Sequence, residues 1–378
     1  MQKFDVIRPF YDAEINTAIK GLVNHPMMKA IMSFTFPDVE DEVWKNQLLK
    51  THSIRDFQCN FIYQSVQKIL ENSSEGLTTS GFDKLEKHTS YLFISNHRDI
   101  ILDTSLLNAC LFDHGLVMTA SAIGDNLVKK DFLLNLSKLN RNFLVQRGLS
   151  PRELLQSSKL MAEYIGQLIL RENRSVWIAQ REGRTKDGND ATHQGVLKML
   201  GMGSEDTNII DYFKKIKIVP VSISYEYDPT DALKMPELMA ESKAEKYVKE
   251  KNEDFITLLS GIIGQKKHIH IHVGAVLDKE LDAIALDNDN TNKQVQAVAQ
   301  AIDDSILQSY KLWPTNYIAY DLLYKTEKFK EKYTDHEKSL FERRLEMRID
   351  CSNGIMTEGF LNMYANPVVN KLKYENAI

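Results

Sequence analysis

The chain has 378 residues, 43% of them hydrophobic and 26% charged, enough for one large core or two smaller ones in an ordinary globular protein. Its formal net charge of −5 argues against a general nucleic-acid binder, which carries a basic excess. Cys59, Cys110 and Cys351 are far apart and in no CxxC arrangement, so neither a disulfide framework nor a zinc knuckle is indicated, and a reducing, cytoplasmic compartment fits best.

The opening stretch "MQKFDVIRPFYDAE" lacks the basic, apolar and small-residue regions of a secretion signal. No apolar run approaches the roughly 18 residues of a membrane span. The expectation is a protein that does not cross a bilayer but can lie on one. Residues 1–82 read as a helical N-terminal region, broken at "SFTFPDVED" and "ENSSEGLTTSG". Phe4, Phe10 and Tyr11 make this region one candidate membrane surface.

From 83 to 290 the texture becomes that of an α/β domain. "YLFIS" (91–95), "GLVMTA" (115–120), "NFLVQ" (142–146), "SVWIAQ" (175–180), "IKIVPVSISY" (216–225) and "HIHIHVGAVL" (268–277) are short β-rich runs separated by helical patterns. That alternation predicts a mostly parallel sheet flanked by helices. In the first run, Asn96 and His97 sit where a strand ends and a helix takes over, the position at which open α/β sheets bind ligands. A histidine there can act as a general base, and a carboxylate on its other ring nitrogen would fix its tautomer. Asp99 and Asp103 both qualify by sequence distance.

Residues 124–141, "GDNLVKKDFLLNLSKLNR", set Leu127, Val128, Phe132, Leu133, Leu136 and Leu139 beside Lys129, Lys130, Lys138 and Arg141. The pattern suits either a helix in an anionic lipid interface or an ordinary docked helix. "NRNFLVQRG" then closes a β run with Arg147. The next helix has clear start signals: Ser150 as N-cap, Pro151 at the first helical position and Glu153 completing a capping box.

"AQREGRTKDG" follows another strand with Arg181, Glu182, Gly183, Arg184 and Lys186. Gly183 permits close backbone approach, and the guanidiniums suit bidentate phosphate recognition. "VPVSISYEY" ends a further strand at Tyr225 and Glu226. In "HIHIHVG", His268, His270 and His272 would share one face of a strand. That spacing can chelate zinc, but no acidic or cysteine partner is near in sequence, and a half-exposed strand accounts for it more simply. Residues 291–378 read as a charged, helical C-terminal extension packed on the rest.

In this order the four stretches "NHRDIILD", "FLVQR", "REGRT" and "VPVSISYE" resemble the motifs of the glycerolipid acyltransferases, the family that acylates glycerol-3-phosphate and 1-acylglycerol-3-phosphate. The resemblance covers about residues 90 to 230. It departs from the family pattern in three places. Five residues rather than four separate His97 from Asp103, Arg141 stands where the family has a glycine, and the third block either is one residue short or sets Arg181 at the family's glutamate.

The resemblance implies acyl transfer from acyl carrier protein or coenzyme A thioesters, with His97 as base and Asp103 as its partner. Arg147, Arg181, Glu182, Gly183, Arg184 and Lys186 would make the acceptor phosphate site. It implies no metal and no cofactor beyond the acyl thioester, a membrane lipid surface as partner, and a cytoplasmic, peripherally bound enzyme of phospholipid biosynthesis. Three other readings remain open: a lyso-aminolipid acceptor, a metal-dependent phosphoesterase built on His97, Asp99 and Asp103, and a non-catalytic lipid- or carrier-binding relative.

Overall fold

The computed structural model describes residues 3–206, 208–287 and 290–377. Seven strands form one sheet: β1 Ser74–Ser80, β2 Leu92–Ser95, β3 Thr119–Gly124, β4 Asn142–Val145, β5 Ser175–Ala179, β6 Ile218–Tyr225 and β7 Lys267–Val273. Their spatial order is β1-β7-β6-β2-β5-β3-β4. Every pairing is parallel except that of β6 with β7. The carboxyl ends of β2 to β6 therefore open on one edge, and β2 is the central strand of the seven.

Helices cover both faces, and the side-chain alternation of β2 shows why. Leu92 and Ile94 point into a core shared with the helices Pro151–Leu170, Gln194–Gly201 and Thr291–Ser309. Phe93 points to the opposite side, into a core shared with Tyr63–Ser73 and Leu102–Asp113. A strand buried on both sides needs the continuous apolar run "LFI" rather than an alternating one. Each such fully buried side chain contributes roughly 1.5–3 kcal/mol.

The helices before residue 63 gather around Trp44, Phe57 and Phe61, and they take Phe132 and Leu139 of the helix Asp131–Leu139 into the same cluster. The last helices, Pro314–Tyr324, Asp335–Arg348 and Gly354–Ala377, surround Phe341, Phe360 and Tyr364.

Two local expectations are corrected. "SSEGLTTS", read as a break between helices, is the edge strand β1, held parallel to β7 with a bulge at Ser74/Gly76. Its glycine, serines and glutamate are weak strand formers that offset the preference of Thr78 and Thr79, so pairing with β7 rather than propensity decides its conformation. The run at 115–120 starts pairing only at Thr119, because Gly115 turns left-handed at φ 68° and ends the preceding helix. The capping box at Ser150 and Glu153 forms as expected.

Candidate active site

β2 delivers His97 to the carboxyl edge of the sheet, and Asn96 fastens the strand end. Its amide donates to Ile223 O and accepts from Ile223 N on β6, both at 2.8 Å. His97 Nδ1 then meets Asp103 Oδ2 at 2.8 Å. The same Oδ2 accepts from the backbone N–H groups of Arg98 (2.7 Å) and Asp99 (3.0 Å), and Oδ1 accepts from the phenol of Tyr225 (2.9 Å). Asp103 is fully buried. With four donors around it the carboxylate acts only as an acceptor, so Nδ1 carries the proton and Nε2 is the basic nitrogen. No protein hydrogen bond reaches Nε2 among the described residues. Trp177 meets the imidazole edge-on at 5.4 Å, and its indole N–H is tied to Ser95 Oγ at 2.9 Å.

Asp99 has a different job. Its Oδ1 accepts from Ile101 N (2.9 Å) and Leu102 N (2.8 Å), which caps the helix Leu102–Asp113 and absorbs the extra residue between His97 and Asp103 in a turn. Burial, with the charge of Asp103 adding to it, pushes the Asp99 carboxyl above the usual aspartate range. The partner of His97 is Asp103.

The loop after β5 is hung on His97 itself, because Thr185 N donates to His97 O at 2.9 Å. Gly183 takes φ 72° in that loop, a left-handed turn open to glycine. The expected cations divide into two pairs. Arg147 forms an ion pair with the exposed Glu182, and Lys186 is bridged to Glu237 at 2.8 Å. Arg181 and Arg184 have no such partner: Arg181 Nε and Arg184 Nη1 are buried without a hydrogen bond, and so is Gln180 Oε1 beside them. Three of the seven such atoms among the described residues thus fall within five positions. A buried guanidinium N–H left unpaired costs on the order of 1–3 kcal/mol, and these two have a hydrogen bond to offer a group from outside the chain. The charge of Arg184 reaches both Asp99 and the buried Lys234, which is tied to Asp228.

A buried frame holds this loop from below. Arg98 is paired with Asp190 at 2.5 Å, and Thr185 Oγ1 donates to the other oxygen of Asp190 at 2.6 Å. From the C-terminal helix, Asn366 Nδ2 donates to Asp187 O at 2.7 Å and Asn370 Nδ2 to Asn189 Oδ1 at 3.1 Å. Gly188 packs so tightly there that a Cβ would lie 2.2 Å from Met363 O.

An apolar cavity of about 490 Å³ adjoins the loop between His97 and Asp103, a size usual for small-ligand pockets. Ile100 and Ile101 line it at that end, with Met27, Phe61, Leu133 and Leu258 among the residues of its other walls.

The three histidines of β7 are engaged locally. His268 Nδ1 meets Glu226 Oε2 at 2.6 Å, while His270 and His272 meet Ser80 Oγ at 3.0 and 2.7 Å. Among the described residues no three His, Cys, Asp or Glu side chains converge as metal ligands.

Sequence reasoning brought His97, Asp103 and the 181–186 loop to one place. It passed over Tyr225 as a mere strand end, missed Asn96 and Trp177 as supports, and gave the C-terminal helix no part. It also gave no sign of the cavity, whose walls come from segments spread over more than half the chain.

Residues 76–224 match the family model described as Acyltransferase. No curated protein matches the sequence significantly. Among solved structures, the crystal structure of the 1-acyl-sn-glycerophosphate (LPA) acyltransferase PlsC from Thermotoga maritima is similar at a TM-score of 0.38 and 11% identity, with 79% of this chain and 96% of that chain covered.

Proposed function

From the acyltransferase match over residues 76–224, we propose that the chain is a glycerolipid acyltransferase that moves a fatty acyl group from an acyl carrier protein or coenzyme A thioester to the hydroxyl of 1-acylglycerol-3-phosphate or glycerol-3-phosphate. The observation that carries this reading is the His97–Asp103 pair, with Nε2 uncommitted, beside two unpaired arginines and an apolar cavity.

His97 Nε2 takes the proton of the acceptor hydroxyl as its oxygen attacks the thioester carbonyl. The imidazolium is stabilised by Asp103. Collapse of the tetrahedral intermediate breaks the C–S bond, and the proton passes from His97 to the departing thiolate. Arg184 and Arg181 hold the acceptor phosphate, and holding both reactants converts much of the barrier into positioning. The cavity takes the acyl chain, because its apolar walls begin at Ile100 and Ile101, in the turn that follows His97. No step calls for a metal or a resident cofactor.

Among the described residues no helix is long and apolar enough to cross a membrane. We place the enzyme at the cytoplasmic face of a lipid bilayer, where its product partitions.

The test is transfer of a labelled acyl group from each donor to each acceptor, with His97→Ala in parallel. Transfer by wild type and a loss of at least about a thousandfold in the variant is the expected result. Folded protein on vesicles that transfers to neither acceptor would sink the reading, and transfer to a lyso-aminolipid alone would reassign the two arginines to a carboxylate.

A further inference from the structure

The segments whose sequence best suited a lipid interface are occupied in the fold. Val128, Phe132 and Leu139 are buried, and Leu133 and Leu136 pack against the N-terminal helices. Phe4 rests on Tyr164 and Phe10 packs against the N-terminal cluster, while Tyr11, 48% exposed, lies under the Arg8 guanidinium. A different helix presents what those segments hide.

The helix Glu253–Ile263 carries no charged side chain after Asp254. One of its faces presses on the catalytic loop: Thr257 is buried, and Gly261 lies so close that a Cβ would sit 2.1 Å from Asp99 Oδ2. A second face, with Phe255, Leu258 and Ile262, lines the apolar cavity. The third face is in solvent. Ile256 is 51% exposed, Leu259 42% and Ile263 69%, at the spacing i, i+3, i+7 that makes one stripe. Leu259 and Ile263 also line the cavity, so the stripe forms its outer rim.

We propose that this stripe is the surface through which the protein docks on an anionic lipid bilayer, placing the cavity mouth against the acyl chains. The charge around the helix favours that occupant. Its acids are already engaged: Glu253 accepts from the Tyr247 phenol at 2.6 Å, and Asp254 is bridged to Lys249 at 2.5 Å. Lys129 and Lys130 are exposed and pair with no carboxylate among the described residues, and the Lys130 ammonium lies 5.0 Å above the Phe255 ring. An apolar ridge beside unpaired lysines suits headgroups of negative charge with hydrocarbon beneath. The assignment rests on the reading of the cavity as the acyl-chain site, and it adds the direction from which lipid arrives. The contact of Gly261 with Asp99 then sets docking and the catalytic turn on the two sides of one helix.

The test is co-sedimentation of the full chain, without substrate, with vesicles of phosphatidylcholine alone or mixed with phosphatidylglycerol. Ile256→Asp with Ile263→Asp should lower partitioning at least about tenfold on both vesicle types. Lys129→Glu with Lys130→Glu should lower it on the anionic vesicles only. Leu286→Asp, at a residue 85% exposed on another helix, should change nothing, and matched circular dichroism and melting would establish that each variant folds. Unchanged partitioning of the double isoleucine variant, or an equal fall with Leu286→Asp, overturns the proposal. So does wild type that ignores vesicles but self-associates through Ile256, which would give the stripe to a second copy of the chain. Because the measurement uses no substrate, vesicle binding through the stripe without any acyl transfer would overturn the catalytic reading and leave this one standing.

Discussion

The phenol of Tyr225, at the end of β6, donates to Asp103 Oδ1 over 2.9 Å, across 122 positions of sequence. Burial, followed by the charge of Asp103, holds its ionisation well above the ordinary tyrosine range, so it remains a donor at every working pH. Tyr225→Phe keeps the ring and removes that donor. Asp103 then becomes more basic and stabilises the His97 imidazolium more strongly. The expected outcome is an acidic limb of the pH–rate profile moved to higher pH, so that kcat falls at low pH and not on the plateau, with both KM values unchanged. A profile identical to that of wild type would reduce Tyr225 to a packing residue.

Asp99 and Asp103 separate cleanly by amide substitution. Asp103→Asn can keep an amide oxygen where Oδ2 accepts from His97 Nδ1 and from the Arg98 and Asp99 N–H groups, but it removes the charge that stabilises the imidazolium, so kcat should fall by about 10²–10⁴. Asp99→Asn keeps the oxygen that caps Ile101 and Leu102 and removes a carboxyl already pushed toward its neutral form. Steady-state kinetics should show a change of no more than about threefold there. The reverse ranking would make Asp99 the partner in the reacting complex.

Among the cations, the two without partners should matter most for the acceptor. Arg184→Ala and Arg181→Ala should each raise the KM for a phosphorylated acceptor by about ten- to a hundredfold, corresponding to roughly 1.5–3 kcal/mol for a charged hydrogen bond, with the donor KM unchanged. Arg147→Ala, whose guanidinium already faces Glu182 at an exposed position, should cost only about twofold. Initial rates at varied acceptor concentration decide the order.

Gly188 combines φ 76° with backbone contact to Met363. Gly188→Ala meets both a left-handed strain of about 1–2 kcal/mol and a clash with a carbonyl that has no free rotamer to yield. Thermal melting should fall by several degrees, and the acceptor KM should rise while the His97–Asp103 pair is intact. Unaltered melting would mean that the 181–190 loop is not held by the C-terminal helix.

Asp303 provides the pH prediction. Burial pushes it up to about 6 from 3.8, against the hydrogen bonds from Thr192 and with the charge of Asp190 adding to the rise. The folded state thus binds this proton more tightly than the unfolded chain. The stability it contributes is complete below about pH 3.8 and is lost as pH rises through about 6. Relative to Asp303→Asn, wild type should lose up to about 3 kcal/mol between pH 4 and 7 in denaturant melts. A constant difference across that range would mean that Asp303 titrates normally.

The parts of the site read from sequence were those written in adjacent residues. His97 and Asp103 share one strand-to-helix turn, and Arg181, Gly183 and Arg184 share one loop, so spacing alone groups them. β1 escaped notice because Gly76 and the serines and glutamate around it mask the strand preference of Thr78 and Thr79 until β7 supplies a ladder. Tyr225 and Asn366 escaped because their partners lie across the sheet and across the chain, where no local pattern points. The apolar face of residues 124–141 was legible as amphipathic, but periodicity cannot tell whether protein or lipid covers such a face. Here the N-terminal helices do.

The Asn366–Asp187 hydrogen bond spans 179 positions, whereas His97 and Asp103 are six apart. Long loops close late, because their entropy is lost before their contacts repay it. During refolding the base and its carboxylate are expected to mature with the central sheet, and the 185–190 loop, tied early to His97 and Arg98, to gain its last hydrogen bonds only when the final helix docks. An intermediate caught between those events would hold a competent imidazole and a slack anion grip, and recovery of acceptor binding should lag behind recovery of sheet structure.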